Sequence, residues 1–194
     1  MKNPLLTLLV LSATLQSGAQ AVKKDFMVIP LLSQQSFYLK SNVSANDKSS
    51  HEVLQVNLPA NTVEWFYTII TKSGHGEFSN NDLTGQLVKL VDPDLGIPNN
   101  GSILVPAGTG TCDVYLMTNP LELHKYINRR HAASFLMNDS REPFVSGAVS
   151  VKDFLDGSCY LIVRNPSASH GINVNIEVTA IVLSSPVGSS TAMQ

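Results

Sequence analysis

The sequence predicts a mainly β domain: an antiparallel two-sheet sandwich that carries one or two short helices. Three observations predict it. Apolar residues alternate with period two, many short β-branched runs are bounded by turn residues, and crossover helices are missing between most of those runs.

The N-terminus reads as a secretory signal peptide over residues 1–21. Lys2 gives the positive charge, Leu5 to Leu15 form the apolar stretch, and Ala19-Gln20-Ala21 is a small-x-small cleavage pattern. A membrane span needs about 20 apolar residues, and this stretch runs into Gln16, Ser17 and Gly18. Cleavage after Ala21 and a secreted or periplasmic protein with no membrane span are therefore expected. The remaining chain suits one sandwich domain, 22–184, followed by a flexible Ser-, Gly- and Thr-rich tail, 185–194.

The expected strands begin with Phe37–Leu39. Leu54, Val56 and Leu58 alternate with Gln55 and Asn57, Pro59-Ala60-Asn61 supplies a turn, and Thr62 to Thr71 is a β-branched and aromatic run beside them. Leu83, Leu87, Leu90 and Val91 have helical spacing behind Asn81 or Asp82 as a cap. Short strands are expected at Ser102–Val105 and Cys112–Met117. Asn119-Pro120 then places a cap and a first-turn proline before a helix from Leu121 to Arg130. Phe144–Val151 and Cys159–Arg164 follow, the latter behind the turn Asp156-Gly157. The last strand sets Ile172, Val174, Ile176, Val178, Ala180 and Val182 on one side. Its other side, Asn173, Asn175, Glu177 and Thr179, is expected to be half-buried at most.

Two segments look alike, Gly110 to Leu116 and Gly157 to Val163, and both run into Asn-Pro. Convergence of turn-into-strand patterns accounts for this more simply than duplication. The run Asp156-Gly157-Ser158-Cys159-Tyr160-Leu161-Ile162-Val163-Arg164-Asn165, with the alternating strand after it, resembles the closing hairpin of secreted jelly-roll-like accessory modules of the bacterial pre-peptidase C-terminal or GOLD-domain type. Cys112-Asp113-Val114-Tyr115-Leu116 is similar to an internal strand of the same modules. The resemblance covers about a third of the chain, implies a non-catalytic binding or structural role, and carries over no site residue.

Charged residues are 14% of the chain and the net charge is −2, so no basic field exists to hold nucleic acid. The local basic cluster His124, Lys125, Arg129, Arg130, His131 reads as a solvated helix face. Cys112 and Cys159 are the only cysteines. Counted along their strands, both sulfurs point inward, and with export a disulfide between Cys112 and Cys159 joining two core strands is expected; two free buried thiols are the alternative. No CxxC, His-Glu-x-x-His or EF-hand spacing is present, and no metal or cofactor is expected. Asp92-Pro93-Asp94 and Asn80-Asn81-Asp82 read as turns and caps, and His75 as a loop histidine. Ser167-Ala168-Ser169-His170-Gly171 lacks the first glycine of a nucleophile elbow and reads as a hairpin loop. Pro106 to Thr111 has no lysine to reach a phosphate and reads as a turn. Trp65 belongs with Val63, Tyr67 and Ile69 on an inward face, which leaves Phe66 as the candidate for an exposed ligand contact.

These readings converge on a secreted binding or structural module whose partner is an extracellular polysaccharide or protein. Two alternatives stand beside it: a hydrolase with dispersed catalytic carboxylates, and a subunit of a surface assembly that pairs through a sheet edge.

Overall fold

The structure, a computed structural model, describes residues 25–43, 48–74, 77–91, 102–128 and 133–184. The expected signal peptide 1–21, the tail 185–194, His75, the Asp92-Pro93-Asp94 turn and Arg129 to His131 lie outside the described residues.

The chain runs through β1 (Phe26–Leu39), β2 (His51–Leu58), β3 (Thr62–Ser73), α1 (Leu83–Leu90), β4 (Cys112–Met117), α2 (Pro120–Asn128), β5 (Arg141–Phe144), β6 (Ser146–Val151), β7 (Gly157–Arg164) and β8 (Ile172–Leu183). Two four-stranded sheets result, sheet A in the order β1-β8-β3-β6 and sheet B in the order β2-β7-β4-β5. Every pair is antiparallel and the pairing is nested: β1 with β8, β2 with β7, β3 with β6, β4 with β5. That nesting, wrapped into two facing sheets, is the jelly roll.

Alternation explains the layers. Trp65, Tyr67 and Ile69 on β3, the Ile172-to-Val182 side of β8, Val114 and Leu116 on β4, and Leu161 and Val163 on β7 all face inward and form one core between the sheets. The polar tips of the large aromatics are satisfied there. Trp65 Nε1 donates to the Phe154 carbonyl at 2.8 Å and the Tyr67 hydroxyl to the Asp139 carbonyl at 2.6 Å. Val63, expected on that face, packs on the outer side because the register of β3 shifts between Thr62 and Glu64.

Both helices lie on outer faces. Asp82 caps α1 by accepting from Gly85 N at 2.8 Å, and Asn119 Oδ1 accepts from Leu121 N at 2.8 Å where α2 begins, as the sequence suggests. Leu83 and Leu87 press α1 onto sheet A, where they meet Phe66, Ile103 and Ile181. Phe66 is therefore fully buried, which corrects its reading as an exposed contact: the side of β3 that alternation marks as outward has a helix over it. The same cover corrects the reading of β8, whose Asn175, Glu177 and Thr179 are buried. Glu177 earns its place there as an acceptor at the start of α1, with Oε2 taking Leu83 N at 2.9 Å and Oε1 taking Thr84 N and Thr84 Oγ1, each at 3.0 Å.

Three further expectations change. Ser102–Val105 is not a strand: the Gln86 side chain occupies both the N–H and the C=O of Leu104, at 2.7 and 3.0 Å. The turn at Pro59-Ala60-Asn61, with Asn61 at φ 63°, carries the chain from sheet B to sheet A, so β2 and β3 are consecutive but not paired. The cysteines are free and buried. Both do face the core, but β4 and β7 pair Asp113 with Arg164 and Met117 with Tyr160, so the two sulfurs sit toward opposite ends of neighbouring strands and no disulfide joins them.

Candidate functional site

The outer face of sheet B groups polar and aromatic side chains from four strands and α2. Its logic is register. With Cys112 and Val114 inward, Asp113 and Tyr115 must point out. Arg164 lies opposite Asp113 on one side and opposite His51 on the other, so His51, Arg164 and Asp113 form a row across three strands. β5 adds Glu142 at the end of that row.

The row is closed by hydrogen bonds. Arg164 gives Nε and Nη2 to Asp113 Oδ2, at 3.1 and 2.6 Å, and its Nη2 stands 3.7 Å from Glu142 Oε1. Asp113 is buried, so the guanidinium supplies the charge partner that burial demands. The Tyr115 hydroxyl donates to Glu142 Oε1 at 2.7 Å. Burial first, and that hydrogen bond second, hold the Tyr115 hydroxyl far above its usual titration range, so it remains a neutral donor. The Arg164 guanidinium stacks 5.6 Å from the Tyr115 ring centre.

An aromatic strip continues from Tyr115. Phe135 lies 5.0 Å from it and Tyr126 of α2 lies 5.7 Å from it, while His51 meets Tyr126 edge-on at 6.2 Å. Leu123 and Tyr126 anchor α2 over Met117 and Ile162. At the start of α2 a shallow hollow of about 280 Å³ opens between Thr118, Asn119, Glu122, Ser134, Phe135 and Leu136. Glu122 accepts from Lys125 Nζ at 2.6 Å and from Ser134 N at 2.9 Å, and these bonds, the lysine's foremost, hold its carboxyl below the usual range. Lys125, the described charge of the basic cluster, is thus paired within its own helix.

A second hollow, about 420 Å³, lies at one end of the sandwich between Ser73, Thr109, Gly110, Thr111 and the loop Pro166 to His170. Its hydroxyls serve the backbone. Ser167 Oγ accepts from Ser169 N at 3.3 Å and His170 N at 3.1 Å, while Ser169 Oγ contacts His170 Nδ1, which is turn chemistry and fits the hairpin-loop reading of this segment. The Pro106-to-Thr111 segment is likewise a turn, its Thr109 N bonded to the Thr71 carbonyl at 2.8 Å. Among the described residues no three or more His, Cys, Asp or Glu side chains converge as a metal cluster. Asn81 and Asp82 act at the start of α1, where Asn81 Nδ2 donates to Thr68 Oγ1 at 2.6 Å.

Sequence reasoning missed the whole row on sheet B. The signal that could have found it is a charge set against apolar strand residues, Asp113 between Cys112 and Val114 in one strand and Arg164 closing the run Leu161 to Val163 in another. Fold and face together define a class, the antiparallel jelly-roll sandwich with a polar-aromatic outer sheet. No protein-family model matches the chain, and no curated protein matches it either. Among the described residues no helix is long and apolar enough to cross a membrane.

Proposed function

We propose that this chain is an exported, non-catalytic binding module whose partner, an extracellular polysaccharide or protein, docks on the outer face of sheet B. The carrying observation is the state of the carboxylates on that face. Asp113 is committed to Arg164, Glu142 to Tyr115, and Glu122 to Lys125 and Ser134 N. Side chains fixed by one another beside aromatic rings form a rigid recognition surface. A hydrolase with two working carboxylates would instead leave one free to give a proton and the other free to attack or to activate water. The likeness of the Asp156-to-Asn165 segment to accessory modules supports the same reading.

Assembly through a sheet edge has less support, because each edge carries something that discourages pairing. β1 has two register irregularities, β5 contains Pro143, and β6 is six residues long. β2 is regular but sets exposed Glu52 opposite Val163, on the inward side.

A glycan array and a pull-down with the processed protein test the proposal. His51→Ala should weaken the binding found by about tenfold or more while leaving Tm within a few degrees, and Tyr126→Ala should weaken it as much while also lowering Tm, because that ring anchors α2. Binding untouched by both would place the contact elsewhere. Turnover of a glycan or peptide, abolished by one carboxylate substitution without loss of stability, would make the domain an enzyme.

A further inference from the structure

The hollow at the start of α2 stands at one end of the aromatic strip on sheet B. Phe135 belongs to both: its ring lies 5.0 Å from that of Tyr115, and it lines the hollow together with Leu136, Thr118, Asn119, Glu122 and Ser134. The walls are tied to each other and to the sheet. Glu122 accepts from Ser134 N at 2.9 Å, and Leu136 N donates to the Leu116 carbonyl of β4 at 2.8 Å. Asn119 is exposed and accepts from Leu121 N at 2.8 Å through Oδ1. That bond fixes which end of the amide is oxygen, and it leaves the two Nδ2 hydrogens to an outside acceptor.

Size, polarity and charge narrow what fits. A volume of about 280 Å³ lies at the lower limit of small-molecule sites, roughly 300 Å³, so the hollow takes one ring and not a whole chain. It sets apolar Phe135 and Leu136 beside four polar residues. Its one charged lining group, Glu122, is a carboxylate paired with Lys125, so an anionic ligand would meet a like charge. Protein interfaces are anchored mostly by aromatic or arginine side chains, and neither suits a small, largely polar hollow whose carboxylate already has its cation. A pyranose ring suits it on every count: an apolar C–H face, hydroxyls that both donate and accept, and no charge. We infer that the hollow holds one neutral pyranose unit of a polysaccharide, with the neighbouring units lying over Tyr126 and His51. The inference rests on the outer face of sheet B being the docking surface. Phe135 offers its ring to the C–H face, Asn119 Nδ2 donates to one sugar hydroxyl, and the Glu122 carboxylate, with two of its four lone-pair sites used, accepts from another.

Titration calorimetry and saturation-transfer NMR of the processed protein test this, with soluble glucan, mannan, galactan and xylan oligosaccharides as neutral probes and uronic-acid and sulfated oligosaccharides beside them. At least one neutral series should bind, and more tightly than the acidic ones. Asn119→Asp keeps an oxygen for Leu121 N but loses the amide hydrogens, so it should weaken neutral-sugar binding by about tenfold or more without lowering Tm. Phe135→Leu keeps apolar bulk, loses the ring face, and should weaken binding as much. Sugar binding that falls with His51→Ala but not with Asn119→Asp or Phe135→Leu would keep the sheet B face as the docking surface and overturn the hollow. Preference for the acidic probes, or capture of a protein with no sugar bound, would overturn it too. Sugar binding indifferent to all three variants would overturn the hollow and the face together.

Discussion

A reducing agent should leave the melting temperature of this protein unchanged, and the reason lies in the register of sheet B. Asp113 pairs with Arg164 and Met117 with Tyr160, so one step further at each end Cys112 falls level with Asn165 and Cys159 with Thr118. Six residues of strand at about 3.3 Å each separate the two cysteines by about 20 Å. A disulfide needs Cα atoms within about 7 Å. Had the bond formed, it would close a loop of about 48 residues and contribute about 4 kcal/mol by the chain-entropy argument, and reduction would then lower Tm by roughly 8–16 °C in a domain of this size. Burial pushes both thiols up to about 12, aided at Cys112 by the Asp113 charge. At pH 8 the thiolate fraction is then on the order of one in ten thousand, so labelling of the native protein is slow. Calorimetry with and without a phosphine reductant, and thiol titration in guanidinium, give the answer. A fall in Tm of that size, or fewer than two thiols per unfolded chain, would refute the register.

Phe66→Ala should cost about 3–5 kcal/mol in a urea titration, as removal of a fully enclosed ring does; a cost near zero would return Phe66 to the surface. Glu177→Ala leaves Leu83 N, Thr84 N and Thr84 Oγ1 without their acceptor and should cost about 1–3 kcal/mol. Amide exchange should then speed up at Leu83 and Thr84 while the centre of β3 stays protected; unchanged exchange would mean the carboxylate does not hold α1. Gly108→Ala places a Cβ 2.6 Å from the Val145 carbonyl and 2.7 Å from that of Thr71, backbone atoms that cannot swing aside, for a cost of about 1–3 kcal/mol. Gly171→Ala instead meets the hydroxyl end of half-exposed Tyr38, which can turn away, so its melt should shift less; the reverse order would count against the packing described.

Legibility in the sequence followed the range of the forces involved. β4 is bounded by Cys112 and Met117 as alternation suggests, and the inward side of β8 and the Asn119 cap were equally plain because their signals are local, while the first cap was narrowed to Asn81 or Asp82, of which Asp82 is the one used. β1 showed only its last three residues. Register irregularities between Pro30 and Leu32 and between Leu32 and Gln35 break its period of two, so fourteen residues of strand read as almost none. Which strand lies beside which is a non-local matter, and everything that depended on it was out of reach. The distance between the cysteines, the helix over Phe66, and the meeting of Asp113, Arg164, Glu142 and His51 from four strands all belong there.

β8 is the last of the described strands, yet it stands second in sheet A, between β1 and β3. About 130 residues of chain separate the end of β1 from the start of β8. Until β8 is made, β1 has no neighbour in its sheet and β3 has only β6. Sheet A therefore depends on long-range pairing with its C-terminal strand, and a chain cut short before Ile172 loses the middle of that sheet rather than its margin.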